Sequence, residues 1–177
     1  MNDLLLLAAL LDGPAHGYAL KKRVGFITGQ SDMHNNLVYP LLKRFVQQGW
    51  VSRKTVPGER GQTRARYALT SKGKSELTRR LEEFTAKDAA SSEAFQLRVG
   101  LFSVLRREAR TRILETRKAW LTAHADRLTN LAENMDLGPW GGEVVGFLRS
   151  QIAAECKWNA ELRKKADRNG KISDGPE

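Results

Sequence analysis

The sequence predicts a mainly α-helical protein with a small β-hairpin. Over most of the chain, apolar residues recur every three or four positions, which is typical of helices with one buried face. Between residues 50 and 70 the pattern changes: β-branched and aromatic residues lie on both sides of a glycine-rich turn cluster. That arrangement indicates two paired strands.

The first two helices are predicted on either side of a strong helix breaker. The first covers residues 2–11 and is mostly apolar, and Asp-Gly-Pro follows it at residues 12–14. The second covers about residues 15–27. Three of its side chains have a spacing that lets them face inward: Tyr18, Leu20 and Val24.

A third helix is predicted from about residue 34 to residue 48. Its expected buried stripe consists of Leu37, Leu41, Leu42, Phe45 and Val46. Gly49 is expected to end it in left-handed geometry. Pro40 is compatible with a helix if it lies within about the first turn, and Tyr39 would then belong to the helix entry.

The hairpin is predicted from strands at residues 50–56 and 65–70, joined by a charged tip at 57–62. A fourth helix follows, with Leu77, Leu81 and Phe84 at helical spacing. Three helices followed by a hairpin are the element order of a winged helix-turn-helix. In that fold the third helix enters the DNA major groove and the hairpin, or wing, lies beside it.

The C-terminal half predicts long helices that need a partner. Residues 91–168 have helix-forming sequence almost throughout, broken by Leu-Gly-Pro at 137–139. Two long antiparallel helices alone would leave apolar surface uncovered, so we expect a C2 homodimer. The predicted organisation is a winged helix-turn-helix domain with a linking helix at 1–90, an α-helical dimerisation domain at 91–168, and a flexible tail at 169–177.

The charge distribution points to an anionic partner. The net charge is +10, and residues 1–70 hold ten Lys or Arg against four acidic residues. Such an excess is expected of a surface that meets phosphates. Composition alone also allows RNA, an anionic membrane or simple solubility as the reason.

The apolar segments and the cysteine content of the sequence indicate its cellular compartment. The longest apolar run has eight residues and is too short to span a bilayer, and its flanks do not resemble a secretory signal. The single cysteine, Cys156, has no intramolecular disulfide partner. We therefore expect a cytoplasmic protein that does not enter a membrane.

Three segments resemble the PadR-like transcriptional regulators in order and spacing: LDGPAHGY at 11–18, LVYPLLKRF at 37–45 and RYALTSKG at 66–73. The C-terminal half is also similar to that family's dimerisation domain, with its Glu-x-x-Trp pattern at 155–158. Two departures are Ala19, where an acidic residue is usual, and GQTR at 61–64, where the family has Gly-Arg-Pro-Arg. The resemblance implies a dimeric repressor or activator that binds a pseudo-palindromic operator, often responsive to small aromatic or amphipathic effectors.

Candidate DNA-binding residues come from the third helix, the wing and the start of the second helix. Asparagine can pair with an adenine edge, and Lys or Arg with phosphate or guanine. The candidates are Tyr18, His34, Asn35, Asn36, Tyr39, Lys43, Arg44, Arg60, Arg64 and Arg66. The alternatives are a solvated helix face, solubilising charge on a loop and, for Tyr18, a place in the core.

Candidate effector-binding residues are aromatic. Tryptophans in the C-terminal half, together with a histidine, can line a pocket for a small aromatic molecule. These candidates are His16, Trp120, His124, Trp140 and Trp158. Core packing or anchoring of a dimer interface is the alternative role for each.

The sequence predicts no enzyme, cofactor or metal site. Three histidines and one cysteine lack metal-ligand spacing, and no phosphate-binding glycine loop or nucleophile elbow is present. Two other classes remain as alternatives: a helical interaction adaptor whose winged helix binds a protein, and a multidrug- or phenolic-binding module with enzymatic activity.

Overall fold

The computed structural model describes residues 1–28, 34–57 and 63–169, with only the backbone for residues 26–28, 35 and 167–169. The chain divides into two compact units. The first consists of Met1–Glu83 with Gln96–Val104, and the second of Phe84–Phe95 with Leu105–Glu177.

The first unit has the element order of a winged helix-turn-helix. Its elements are α1 (Asn2–Ala8), β1 (Ala15–His16), α2 (Gly17–Thr28), α3 (Asn35–Gln47), β2 (Val51–Pro57), β3 (Thr63–Leu69) and α4 (Ser71–Glu82). The predicted first helix is too long by three residues, because a turn begins after Ala8 and leads into Gly13 at φ 103°. The wing tip, including Arg60, lies outside the described residues.

The three strands form one antiparallel sheet in the order β1-β3-β2. β2 and β3 pair from Val51 with Leu69 to Pro57 with Thr63, which confirms the predicted hairpin. Strand β1 was not predicted, and its Ala15 and His16 pair with Tyr67 and Arg66. Two residues are too few for a periodic pattern, so β1 leaves no sequence signal.

Helix α2 corrects one prediction. Leu20 and Val24 are buried as expected, but Tyr18 is 63% exposed. Leu20 and Val24 are one helical turn apart and share the buried face, whereas Tyr18 lies two residues before Leu20. Two residues rotate the chain by about 200°, so Tyr18 lies on the opposite side of the helix.

Helix α3 corrects a second prediction. Leu37 was expected in the buried stripe but is 44% exposed, while Val38 is buried. The buried face consists of Val38, Leu42 and Phe45, at i, i+4 and i+7. Gly49, which follows the helix, has the predicted left-handed conformation with φ 72°.

Pro40 does not lie in the first turn of α3, as the sequence analysis required. The helix begins at Asn35, so Pro40 is its sixth residue. Proline has no N–H to donate to the carbonyl of Asn36, four residues earlier. Both residues are exposed, so water can satisfy that carbonyl.

The core of the first unit joins its helices and the base of the sheet. Its fully buried large side chains include Leu6, Leu7, Leu20, Leu42, Phe45, Leu77 and Leu81. At the start of α4, the Thr70 hydroxyl accepts a hydrogen bond from the Gly73 amide at 3.0 Å. A Cβ on Gly73 would lie 2.0 Å from the Trp50 carbonyl oxygen, so the sheet approaches α4 closely enough to require glycine.

The second unit contains α5 (Ala86–Ala89), α7 (Arg107–Asn134) and α8 (Gly138–Asn169). Helix α6 (Ser92–Gly100) contributes to both units. A short 3₁₀ helix follows α6 at Phe102–Val104. α7 and α8 pack together around a buried cluster of Leu121, Leu128, Val145 and Ile152.

Arg117 lies at the centre of the second unit and is only 1% exposed. Its guanidinium donates to both carboxylate oxygens of Glu155, at 2.7 and 2.6 Å, to the Ser92 hydroxyl at 2.8 Å, and to the Ala89 carbonyl. It also lies 5.4 Å from the centre of the Phe95 ring. One buried cation therefore joins α5, α6, α7 and α8.

In the part of the chain that the structure describes, no helix is long and apolar enough to cross a bilayer.

Candidate nucleic-acid interface

The outer face of α3 is polar and carries no acidic residue. Asn36, Tyr39 and Lys43 are exposed, whereas the opposite face is buried in the core. His34 precedes the helix as its N-cap residue and is also exposed. The side chain of Asn35 lies outside the description. This face therefore presents an amide, a phenol and an ammonium group to solvent.

Tyr39 is held against the first residue of α2. A Cβ built on Gly17 would lie 2.8 Å from Tyr39 Cε1 and 3.2 Å from its hydroxyl oxygen, closer than side chains normally approach. The absence of a side chain at residue 17 thus allows the ring to lie against α2 while remaining 50% exposed. Gly17 belongs to the segment LDGPAHGY at 11–18, and its contact with Tyr39 was not predicted.

Arg44 differs from Lys43, the other cation of α3, because an acidic residue binds its guanidinium. One oxygen of Asp3, in α1, accepts hydrogen bonds from Arg44 and from Arg80 of α4. Arg80 also donates to Glu76 at 2.6 Å. Hydrogen bonds from Arg79 and Arg80 lower the pKa of Glu76 from 4.5 to about 2, although partial burial opposes the shift. Arg44 therefore links α3 to α1 and α4.

The described part of the wing is basic and exposed. Arg64 and Arg66 lie on β3, and Arg53 and Lys54 on β2. Neither strand contains an acidic residue. The sequence analysis did not select Arg53 or Lys54, although both were visible as charged residues inside the predicted first strand.

Tyr18 and His16 flank the start of α2. Tyr18 has the ammonium nitrogen of Lys22 5.0 Å from its ring centre, in cation–π geometry. His16 Nδ1 donates to the carbonyl oxygen of Ala65 at 2.9 Å, which fixes the imidazole to β3. His16 is thus placed in the sheet of the first unit.

A cavity of about 440 Å³ opens between the start of α2, the outer face of α3 and β3. Its lining includes His16, Gly17, Tyr18, Tyr39, Arg64 and Tyr67. Four of the candidate residues are therefore brought together at one place. Tyr67 was not among the candidates, because a tyrosine within a predicted strand indicates only packing in the core.

The aromatic candidates of the second unit have separate surroundings. The rings of Trp120 and His124 lie 4.7 Å apart, and the Arg117 guanidinium lies 4.7 Å from the Trp120 ring. Burial, followed by the charges of Arg127 and Arg117, lowers the pKa of His124. Trp158 makes an edge contact with Phe95 at 5.6 Å, whereas Trp140 is 82% exposed. The structure therefore brings together only Trp120 and His124 among these candidates of the second unit.

Within the described ranges, no group of three or more His, Cys, Asp or Glu side chains is placed to hold a metal ion.

The first unit is thus a winged helix-turn-helix domain in which the outer face of α3 and the two described wing strands are basic and contain no acidic residue. Residues 6–79 match the transcriptional regulator PadR-like family. This segment is a PadR-like domain, as its three sequence segments had indicated.

Solved structures of transcriptional regulators are similar to part or most of the chain. A transcriptional regulator from Thermoplasma acidophilum is 29% identical over 58% of this chain and 86% of its own, with a TM-score of 0.42. Bacillus subtilis PadR in complex with operator DNA is 20% identical over 93% and 98%, with a TM-score of 0.46. A PadR-like transcription factor from Bacteroides fragilis is 25% identical over 42% and 71%, with a TM-score of 0.39. No curated protein matches the chain.

Proposed function

We propose that this protein is a sequence-specific DNA-binding transcriptional regulator, acting as a homodimeric repressor in the cytoplasm. One observation carries the proposal: the outer face of α3 and both wing strands expose basic and amide groups and contain no acidic residue. Asn36, Tyr39 and Lys43 then read the major groove. The cations of the wing strands contact the adjacent sugar-phosphate backbone of the DNA; they are Arg53, Lys54, Arg64 and Arg66.

The dimer is supported by an apolar stripe on α8. Trp140, Val144 and Phe147 are 82%, 58% and 60% exposed and recur at i, i+4 and i+7. Such a stripe on one helix is typical of an interface between helices. In our proposal a second copy covers it, and the C2 pair sets two α3 helices about 34 Å apart on a pseudo-palindromic operator.

For the effector, we propose a small aromatic molecule that binds in the second unit beside Trp120 and His124. Support comes from the half-buried indole, which already stacks with the guanidinium of Arg117. A ligand there changes operator affinity only if it binds two dimer conformations with different affinities.

The test is selection of bound fragments from the genomic DNA of the source organism, repeated with small aromatic acids present. We expect a small set of fragments sharing an inverted repeat, and affinity that falls steeply with added salt because bound counterions are released. If the protein binds no duplex at modest salt, the proposal is wrong and a protein-binding adaptor is favoured.

Lys43→Ala compared with Lys74→Ala is the matched control for that selection. Both lysines are exposed, but Lys43 is on the outer face of α3 and Lys74 is on α4. Only Lys43→Ala should weaken binding to the selected fragment.

A further inference from the structure

The chain has three tyrosines, and all three line the cavity between α2, α3 and β3. Tyr18 and Tyr39 are 63% and 50% exposed, whereas Tyr67 is only 8% exposed. Tyr67 lies on the central strand, opposite Ala15 of β1 and Arg53 of β2. The cavity therefore has two exposed phenol groups and one deeply placed phenol.

The hydroxyl of Tyr67 forms no hydrogen bond with any residue that the structure describes. Among those residues, no fully buried side-chain nitrogen or oxygen lacks a partner. Tyr67 is one of the residues that line the cavity. A phenol hydroxyl can donate one hydrogen bond, and an anion bound in the cavity would accept it.

The other polar groups of the cavity also favour an anion. Arg64 is exposed and forms no ion pair with any described residue, and none of the described residues that line the cavity is Asp or Glu. Helix α2 begins at Gly17, so the first backbone N–H groups of a twelve-residue helix have no acceptor within the helix. The positive end of the helix dipole lies at the same place.

We propose that the cavity binds a backbone phosphate of the DNA duplex, with Tyr67 as a hydrogen-bond donor and Arg64 as the counter-charge. This inference depends on the proposed function. It favours a phosphodiester over a free anion because one wall carries Tyr39 of the outer face of α3 and another carries Arg64 of the wing. A DNA strand that passes from the major-groove helix to the wing crosses this opening.

The first measurement uses the full chain labelled with 3-fluorotyrosine, whose three fluorine resonances all report on the cavity. Tyr→Phe variants assign them. Saturation with a duplex of about 30 base pairs, at salt of about 50 mM, should shift all three resonances. If the Tyr67 resonance stays in place while the other two move, or if inorganic phosphate moves it and the duplex does not, the inference is wrong.

The second measurement is affinity for the same duplex. Tyr67→Phe should lower it about tenfold, because a hydrogen bond to a charged acceptor is lost, and should leave the salt dependence unchanged. Arg64→Gln should lower the slope of log affinity against log salt by about 0.9. Ser75→Ala, which removes an exposed hydroxyl bonded only within α4, is the control and should bind like the wild type.

The two proposals fail differently. Wild-type affinity in Tyr67→Phe, together with weaker binding by Lys43→Ala, would overturn the phosphate site and leave the DNA-binding function in place. A wild-type protein that binds no duplex would overturn both.

Discussion

Arg117 of the second unit and two exposed cations of the first unit have opposite surroundings. In the second unit, the guanidinium of Arg117 is buried and binds a carboxylate, a hydroxyl and a backbone carbonyl. In the first unit, Lys43 and Arg64 are exposed and have no acidic partner among the described residues. A cation whose hydrogen bonds are satisfied inside the fold stabilises it, whereas a cation without a partner is available to a ligand.

The largest effect that tests this comparison is expected from Arg117→Met. The substitution leaves Glu155, whose side chain is 18% exposed, without its partner, and should lower the free energy of unfolding by about 3–5 kcal/mol. Urea unfolding measures it. Arg163→Met is the control, because Arg163 and Glu115 form an exposed pair and its loss should cost less than about 1 kcal/mol. Equal losses in the two variants would contradict the role of Arg117.

Gly17→Ala should have the next largest effect. The new methyl group would meet the Tyr39 ring, so the variant should lose about 1–3 kcal/mol of stability or displace the ring from α2. Thermal unfolding and the fluorine resonance of Tyr39 distinguish these outcomes. Gly100→Ala, with no neighbouring atom near the added Cβ, is the control. An unchanged Tyr39 resonance at wild-type stability would show that the contact is unimportant.

Glu76 tests the converse case in the first unit, because its carboxylate pairs with two cations, Arg79 and Arg80. Its pKa falls from 4.5 in the unfolded chain to about 2 in the folded protein, so the stabilisation is complete above pH 4.5 and is lost as pH falls from there towards 2. Because Arg79 is 60% exposed, we expect less than about 2 kcal/mol. Urea midpoints between pH 5 and 2 should fall more steeply in the wild type than in Glu76→Gln. Parallel curves would contradict the ion pair.

The smallest effect concerns Lys43, which is expected to act on binding alone. Lys43→Ala should weaken binding to duplex DNA about fivefold to tenfold and lower the salt slope by about 0.9, without a change in unfolding. Fluorescence anisotropy at several salt concentrations measures both. Loss of stability in this variant would show that Lys43 supports the fold instead.

Periodic patterns in the sequence predicted the helices and the hairpin, because buried faces recur along each element. Details that depend on two distant segments were not predictable. Leu37 and Val38 are adjacent apolar residues, and only packing of α3 against the core decides which is buried. Likewise β1 exists because residues 15 and 16 reach the edge of β3, some fifty residues later in the chain.

The candidate site likewise has features that the sequence could predict and features that it could not. The exposed cations and amides of α3 could be selected from the sequence, since their residue types indicate phosphate and base contacts. The pairing of Arg44 with Asp3 could not, because 41 residues separate them. The deep position of Tyr67 also had no distinguishing signal, since a tyrosine in a strand ordinarily packs in the core.

The two-residue strand β1 has a mechanical consequence. Because Ala15 and His16 are paired with Tyr67 and Arg66, the peptide that leads into α2 is fastened to the middle of the hairpin. A displacement of the paired part of the hairpin would therefore also displace the entry of α2. In the proposed complex the two segments would contact the duplex together.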